Sequence, residues 1–232
     1  MDLEIKKNAC QIRKFQGNFS YLAFLDLKKA FDSVPIFNIL TKLYNLGIRG
    51  KCHLFLKNLY LSSKAHAFFN GNLSEEFSIN RGVRQGFPLS PFLFNLFIND
   101  ILDNCDKYGV NLDSHYCCGG LFGDDIVLVA PPKQALKKIL NKVHEWAIKN
   151  EITFGINKCT TLVVKLINFV KPINYEDPSF FIGSNKLPKT DNYICLGIPF
   201  DESLLLFSLL LLLLLLLFSY FFYVNNFIIT LI

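Results

Sequence analysis

The sequence predicts an α+β domain over residues 21–200, built from antiparallel strands and amphipathic helices, and three observations predict it. The stretch Gly119 to Ala130 places Leu121-Phe122 and Ile126 to Ala130 around Gly123-Asp124-Asp125, two apolar runs joined by a tight turn. Between Lys64 and Ile79, apolar and polar positions alternate about Asn70-Gly71, a strong hairpin signal. Helical spacing runs through Ile36, Ile39, Leu40, Leu43 and Tyr44, and again through Leu136, Ile139, Leu140, Val143, Trp146 and Ala147.

Taken in order, residues 1–20 are polar, and Lys6, Lys7, Arg13 and Lys14 read as a solvated basic face. Tyr21 to Leu25 is an apolar run that ends on Asp26, a buried strand with an acid at its C-terminal end. Pro35 punctuates the chain after Val34, Ile36 to Leu46 forms a helix stopped by Gly47, and a second apolar helix covers Cys52 to Leu61. Arg81 to Pro91 is a glycine-punctuated basic loop entering a helix with Ser90 as N-cap and Pro91 in its first turn. That helix is expected to reach about Lys107, with Gly109 closing it. Its N-terminus beside Arg81, Arg84 and Gln85 suits a phosphate or a nucleobase. After the Lys133 to Asn150 helix, Asn157 to Thr160 is a turn and Thr161 to Ile167 a strand. Phe180 to Ile182 and Tyr193 to Ile198 are the last strands.

Composition sets outer bounds. Hydrophobic residues make up 51%, enough for a sizeable core, and the net charge of +5 permits a polyanionic partner without requiring one. Seven cysteines, odd in number and without a C-x-x-C pair, read as reduced thiols of an intracellular protein, nuclear or cytoplasmic. His115 near Cys117 and Cys118 lacks the second ligand pair that a zinc site needs. Leu204 to Val224 carries no charge, and its length meets the roughly 20 residues of a membrane span. Its near-homopolymeric Leu/Phe composition favours a translated simple repeat or a frameshifted end over an anchor, although hydropathy marks it as transmembrane.

Two adjacent acids within an apolar sequence are costly unless something cationic compensates them, and a divalent metal is the obvious candidate. Asp26 also closes an apolar strand. If the two strands are neighbours, Asp26, Asp124 and Asp125 converge and could hold two Mg²⁺ ions roughly 4 Å apart, the arrangement that serves in-line phosphoryl transfer.

At this point the chain resembles the reverse transcriptase palm, specifically that of non-LTR (LINE-like) retrotransposons. Phe24 to Val34 is similar to the family's first block, Arg81 to Leu102 to its second and Phe122 to Leu128 to its third. Trp146 with Asn157-Lys158 resembles the fourth, and Tyr193 to Ile198 the fifth, the primer-gripping hairpin. The resemblance implies a palm, an antiparallel sheet with helices on one face, with partial fingers. It implies an RNA-directed DNA polymerase that adds dNTPs to a DNA primer on an RNA template, using two Mg²⁺ ions, with Mn²⁺ as substitute. Asp26 and Asp124 would be the main metal ligands, with Asp125 beside them, and Lys158 a general acid near the leaving pyrophosphate. Phe31 would exclude a ribose 2′-hydroxyl. Arg84, Gln85 and Gly86 would touch nucleotide and template, and Tyr193, Leu196 and Gly197 would form the primer grip. On their own, Phe31 reads rather as core and Lys158 as a solvated turn residue.

The pattern departs from the family at Phe87 (usually Cys), Gly123 (usually Ala) and Cys195 (commonly aromatic). None of these removes a metal ligand. Few residues precede Asp26 to build the fingers, residues 201–232 stand where a helical thumb is expected, and no endonuclease segment is evident. The alternatives are an inactive retroelement remnant that binds nucleic acid, a viral RNA-dependent RNA polymerase suggested by Gly123-Asp124-Asp125, or a non-enzymatic protein anchored in a membrane through residues 204–224. The sequence leaves oligomeric state unspecified.

Overall fold

The computed structural model describes residues 19–112, 115–165, 172–173 and 175–201. The basic segment before Phe19 and the Leu/Phe tail, with its thumb and membrane-span readings, lie outside the described residues. Among the described residues, no helix is long and apolar enough to cross a membrane.

The described chain forms two compact units, each discontinuous in sequence. One comprises the residues up to Leu27, Leu102–Glu145 and the residues from Phe154 on. The other comprises Lys28–Ile101 and Trp146–Thr153.

The first unit is built on a four-stranded antiparallel sheet. Its strands are β1 (Ser20–Asp26), β2 (Gly119–Phe122), β3 (Asp125–Ala130) and β4 (Thr160–Val164), in the spatial order β4-β1-β3-β2. β1 is central, and Tyr21 to Leu25 are all buried, which explains its unbroken apolar run: a strand covered on both faces has no polar face to alternate. On one face Leu22, Phe24, Val127 and Leu162 pack with Cys195 and Phe200 of a hairpin whose strands are Asn192–Cys195 and Ile198–Asp201. Tyr21, on the other face of β1, meets the edge of Phe180. Most of the helix Lys133–Lys149 belongs to this unit, and its periodic residues Leu136, Ile139, Leu140 and Val143 are fully buried.

The second unit is mainly helical: α1 (Ile36–Asn45), α2 (Gly50–Leu61) and α3 (Ser90–Ile98). Ile36, Ile39, Leu40 and Leu43 form the buried stripe of α1, as their spacing requires. α2 buries only Leu56 and Tyr60 and leaves Leu54, Phe55 and Leu61 exposed. Phe68–Phe69 pairs with Asn72–Leu73 about Asn70-Gly71, both at positive φ (49° and 81°), as a two-residue type I′ turn demands.

Two expectations are corrected. Ser90 is not an N-cap: Leu89 holds that position without a side-chain cap, and the Ser90 hydroxyl instead donates to the Arg84 carbonyl at 2.5 Å. The helix α3 ends at Ile98, well short of Lys107. Beyond it the chain makes separate turns, Ile101 N–H to the Ile98 carbonyl and Cys105 N–H to the Leu102 carbonyl, and Asn104 adopts a left-handed φ of 60°. Asp100 there serves tertiary contacts, accepting from the Lys42 ammonium at 2.5 Å and the Trp146 indole N–H at 2.7 Å.

Candidate active site

The β2–β3 hairpin turns through Gly123 and Asp124, and Gly123 takes the left-handed φ (59°) that tight two-residue turns require at their first position. Asp125 therefore opens β3, where it is the direct cross-strand partner of Asp26, the last residue of β1. Residues directly opposite one another in an antiparallel pair share a face, with Cβ atoms about 5 Å apart. Phe24 and Val127, the next pair on that face, belong to the buried cluster. The two carboxylates thus continue an apolar face to its edge.

The electrostatics derive from that position. Burial, then the neighbouring charges of Asp124 and Asp26, raise the Asp125 carboxyl above its ordinary value, with Lys158 acting in the opposite sense. Lys158 Nζ lies 3.3 Å from Asp26 Oδ1, its own side chain largely exposed while that of Asp26 is mostly covered. Among the described residues no three His, Cys, Asp or Glu side chains are gathered into a metal-holding group. Of the three acids expected to converge, Asp26 and Asp125 face one another, and Asp124 lies in the adjoining turn.

The backbone of Asp26 is also held. The Gly155 N–H donates to its carbonyl at 2.9 Å, and Cys159 Sγ lies 3.4 Å from its amide and 3.8 Å from its carbonyl. The hairpin Asn192–Cys195/Ile198–Asp201 stands beside the acids. Tyr193 packs its ring 4.4 Å from that of Phe24, and burial followed by the charge of Asp125 pushes the Cys195 thiol up to about 11. Leu196 and Gly197 form its turn at φ 51° and 78°.

The remaining candidate residues lie in the second unit and are gathered there. Phe31 stacks on Phe94 with centroids 4.5 Å apart. Val83 N–H donates to the Phe31 carbonyl, and Gln85 Nε2 donates to Asp32 Oδ1 at 3.0 Å. Gly86 has φ 79° with open space around it. Arg84 donates to the Leu59 carbonyl and the Ser63 hydroxyl, while Arg81 is engaged by the Ser33 carbonyl and the Glu151 carboxylate. Both exposed guanidinium groups expected to face a phosphate thus also have protein partners. Sequence reasoning missed Asp32, Gly155 and Cys159. Asp32 and Gly155 lie within or beside the blocks already singled out, but which neighbours they touch depends on tertiary pairing.

The family model of reverse transcriptase (RNA-dependent DNA polymerase) matches residues 3–200. The chain is 33% identical over 184 residues to the retrovirus-related Pol polyprotein from type-2 retrotransposable element R2DM of Drosophila melanogaster, covering 78% of this chain and 17% of that protein. It is 27% identical over 187 residues to the RNA-directed DNA polymerase from mobile element jockey of Drosophila funebris, covering 78% and 19%. The chain thus spans less than a fifth of these relatives' length. In fold it is similar to apo telomerase from Candida tropicalis, with a TM-score of 0.59 at 11% identity over 86% of this chain and 34% of that one. A form of the same telomerase truncated from its C-terminal domain gives 0.54 at 13% identity, covering 87% of this chain and 38% of that one. The fold is therefore palm-type, as the first resemblance implied, and on the strength of the matched residues the chain belongs to the reverse transcriptase family, with non-LTR retrotransposon polymerases among its relatives.

Proposed function

We propose that residues 21–200 form the nucleotidyl-transfer core of an RNA-directed DNA polymerase, which adds dNTPs to the 3′-hydroxyl of a DNA primer on an RNA template. The observation that carries this reading is the register that sets Asp26 opposite Asp125 at the edge of a buried face, with Lys158 alongside.

The donor set fits Mg²⁺, with Mn²⁺ as substitute. Mg²⁺ takes hard oxygen ligands and is commonly bound through one or two carboxylates together with substrate phosphates. The charge that Asp124 and Asp26 impose on Asp125 is the imbalance a divalent cation relieves. Asp26 and Asp124 would hold such ions together with Asp125, the direct cross-strand partner of Asp26. When bound, two metal ions activate the attacking hydroxyl and stabilise the leaving oxygen.

The other residues position and exchange protons. Lys158 Nζ, held close to Asp26, would give a proton to the departing pyrophosphate. Phe31, fixed against Phe94, would bar a 2′-hydroxyl, and Gln85 and Gly86 would touch nucleotide and template. Arg84 would shape that loop through Leu59 and Ser63. Tyr193, Leu196 and Gly197 would hold the primer end. The setting is intracellular, nuclear or cytoplasmic, in keeping with the free thiols of Cys52, Cys105, Cys117, Cys118, Cys159 and Cys195. The test is primer extension by the full chain on an RNA template with Mg²⁺ and dNTPs. Wild type extends and Asp125→Asn does not; equal extension by both refutes the assignment.

A further inference from the structure

We propose that Gly155 is a positioning residue, present because the carboxylate of Asp26 occupies the space of its missing side chain. This rests on the polymerase reading of Asp26. A Cβ built on Gly155 would stand 2.8 Å from Asp26 Oδ2 and 3.9 Å from Asp26 Cγ, closer to that oxygen than such atoms can sit. Glycine is usually kept where the backbone needs a left-handed φ. That reason does not apply, since Gly155 has φ −80° and ψ 77°, open to any L-residue. What the position demands is the absence of a side chain.

The surrounding contacts show what that absence allows. Leu27 and Phe154 form an isolated antiparallel bridge, and the Gly155 N–H donates to the Asp26 carbonyl, so residue 155 is drawn directly against the end of β1. Lys158 N–H and Cys159 N–H both return to the Gly155 carbonyl, closing a short turn that carries Lys158 Nζ to Asp26 Oδ1 and Cys159 Sγ to the Asp26 backbone. The turn thus forms a seat for one carboxylate, with Gly155 against Oδ2 and Lys158 against Oδ1. A Cβ at 155 presses on the free end of the Asp26 side chain and lies only at ordinary contact distance, 3.8 Å, from the Asp26 carbonyl oxygen. The cheap response is rotation of that carboxylate away from the face it shares with Asp125.

The test is a double-substitution cycle in the full chain, read by Mn²⁺ binding (electron paramagnetic resonance), thermal unfolding and primer-extension kinetics. Gly155→Ala is expected to weaken Mn²⁺ binding at least tenfold and to lower kcat at least tenfold, with a smaller change in the KM for dNTP. Any loss of Tm should vanish when Gly155→Ala is placed in an Asp26→Ala background, because the clash is with the carboxylate alone. Mn²⁺ binding and kcat unchanged in Gly155→Ala overturn the proposal. So does a Tm loss that persists at full size in the Asp26→Ala background, and that comparison remains decisive if Gly155→Ala folds poorly. Asp26→Asn separates the two levels. If it binds Mn²⁺ as wild type does, the metal reading of Asp26 fails; if it loses Mn²⁺ while Gly155→Ala keeps it, only the seat fails.

Discussion

Asp26 and Asp125 face one another as direct partners across two antiparallel strands, each the last or first residue of its strand. Like charges placed opposite in a sheet oppose folding. Removing one should therefore stabilise the protein while abolishing its chemistry. Asp125→Asn is expected to raise Tm by a few degrees and to lower extension by about a thousandfold or more. A variant that loses both stability and activity would show instead that Asp125 is a structural residue.

The same relationship sets a pH dependence. Asp125 has a folded-state value raised above its ordinary 3.8, so the folded protein holds that proton more tightly than the unfolded chain does. Its contribution to stability is complete below pH 3.8 and is lost as pH rises through the raised folded value. The Tm advantage of Asp125→Asn over wild type should thus be small near pH 4 and grow toward neutrality, as measured by unfolding scans across that range. An advantage constant with pH would contradict the assigned shift.

Lys158 reaches Asp26 from an exposed position, so their ion pair contributes little to stability, at most about 1 kcal/mol. Lys158→Ala should leave Tm nearly unchanged and lower kcat by about 10²-fold, the scale of a lost general acid. If kcat is preserved in single-turnover measurements, Lys158 is only a solvated turn residue.

Phe31 is held by its stack on Phe94. Phe31→Ala removes the stack and some packing, costing about 2 kcal/mol for a half-buried ring. It is also expected to admit rNTPs. Conversely, Leu196 stands at a left-handed φ of 51°, unfavourable for a bulky side chain. Leu196→Gly should fold at least as well as wild type while raising KM for primer–template. An unchanged KM would remove Leu196 from the primer grip.

How far the sequence disclosed this arrangement differs from element to element. The β2–β3 hairpin was legible because Gly123 and the flanking apolar runs specify it locally, and β1 because burial on both faces leaves a continuous apolar signature. The helix stop at Ile98 was not legible. Just beyond it Asp100 is claimed by Lys42 and Trp146, partners 58 and 46 residues away that no local pattern discloses. The same holds for Ser90, whose hydroxyl turns back to Arg84 instead of capping the helix. In the site, the residue types could be named from the ordered blocks, whereas the pairing of Asp26 with Asp125, and not with Asp124, is a matter of strand register. Gly155 and Cys159 carry no local mark, because their importance lies entirely in what β1 places against them.

The nucleotidyl transfer proposed for this chain requires that the facing carboxylates of Asp26 and Asp125 hold divalent ions. Anomalous-difference density from crystals grown with Mn²⁺ and a dNTP locates such ions directly. A peak bound by both carboxylates is expected. Density at the dNTP phosphates with none at Asp26 and Asp125 would overturn their role as metal ligands.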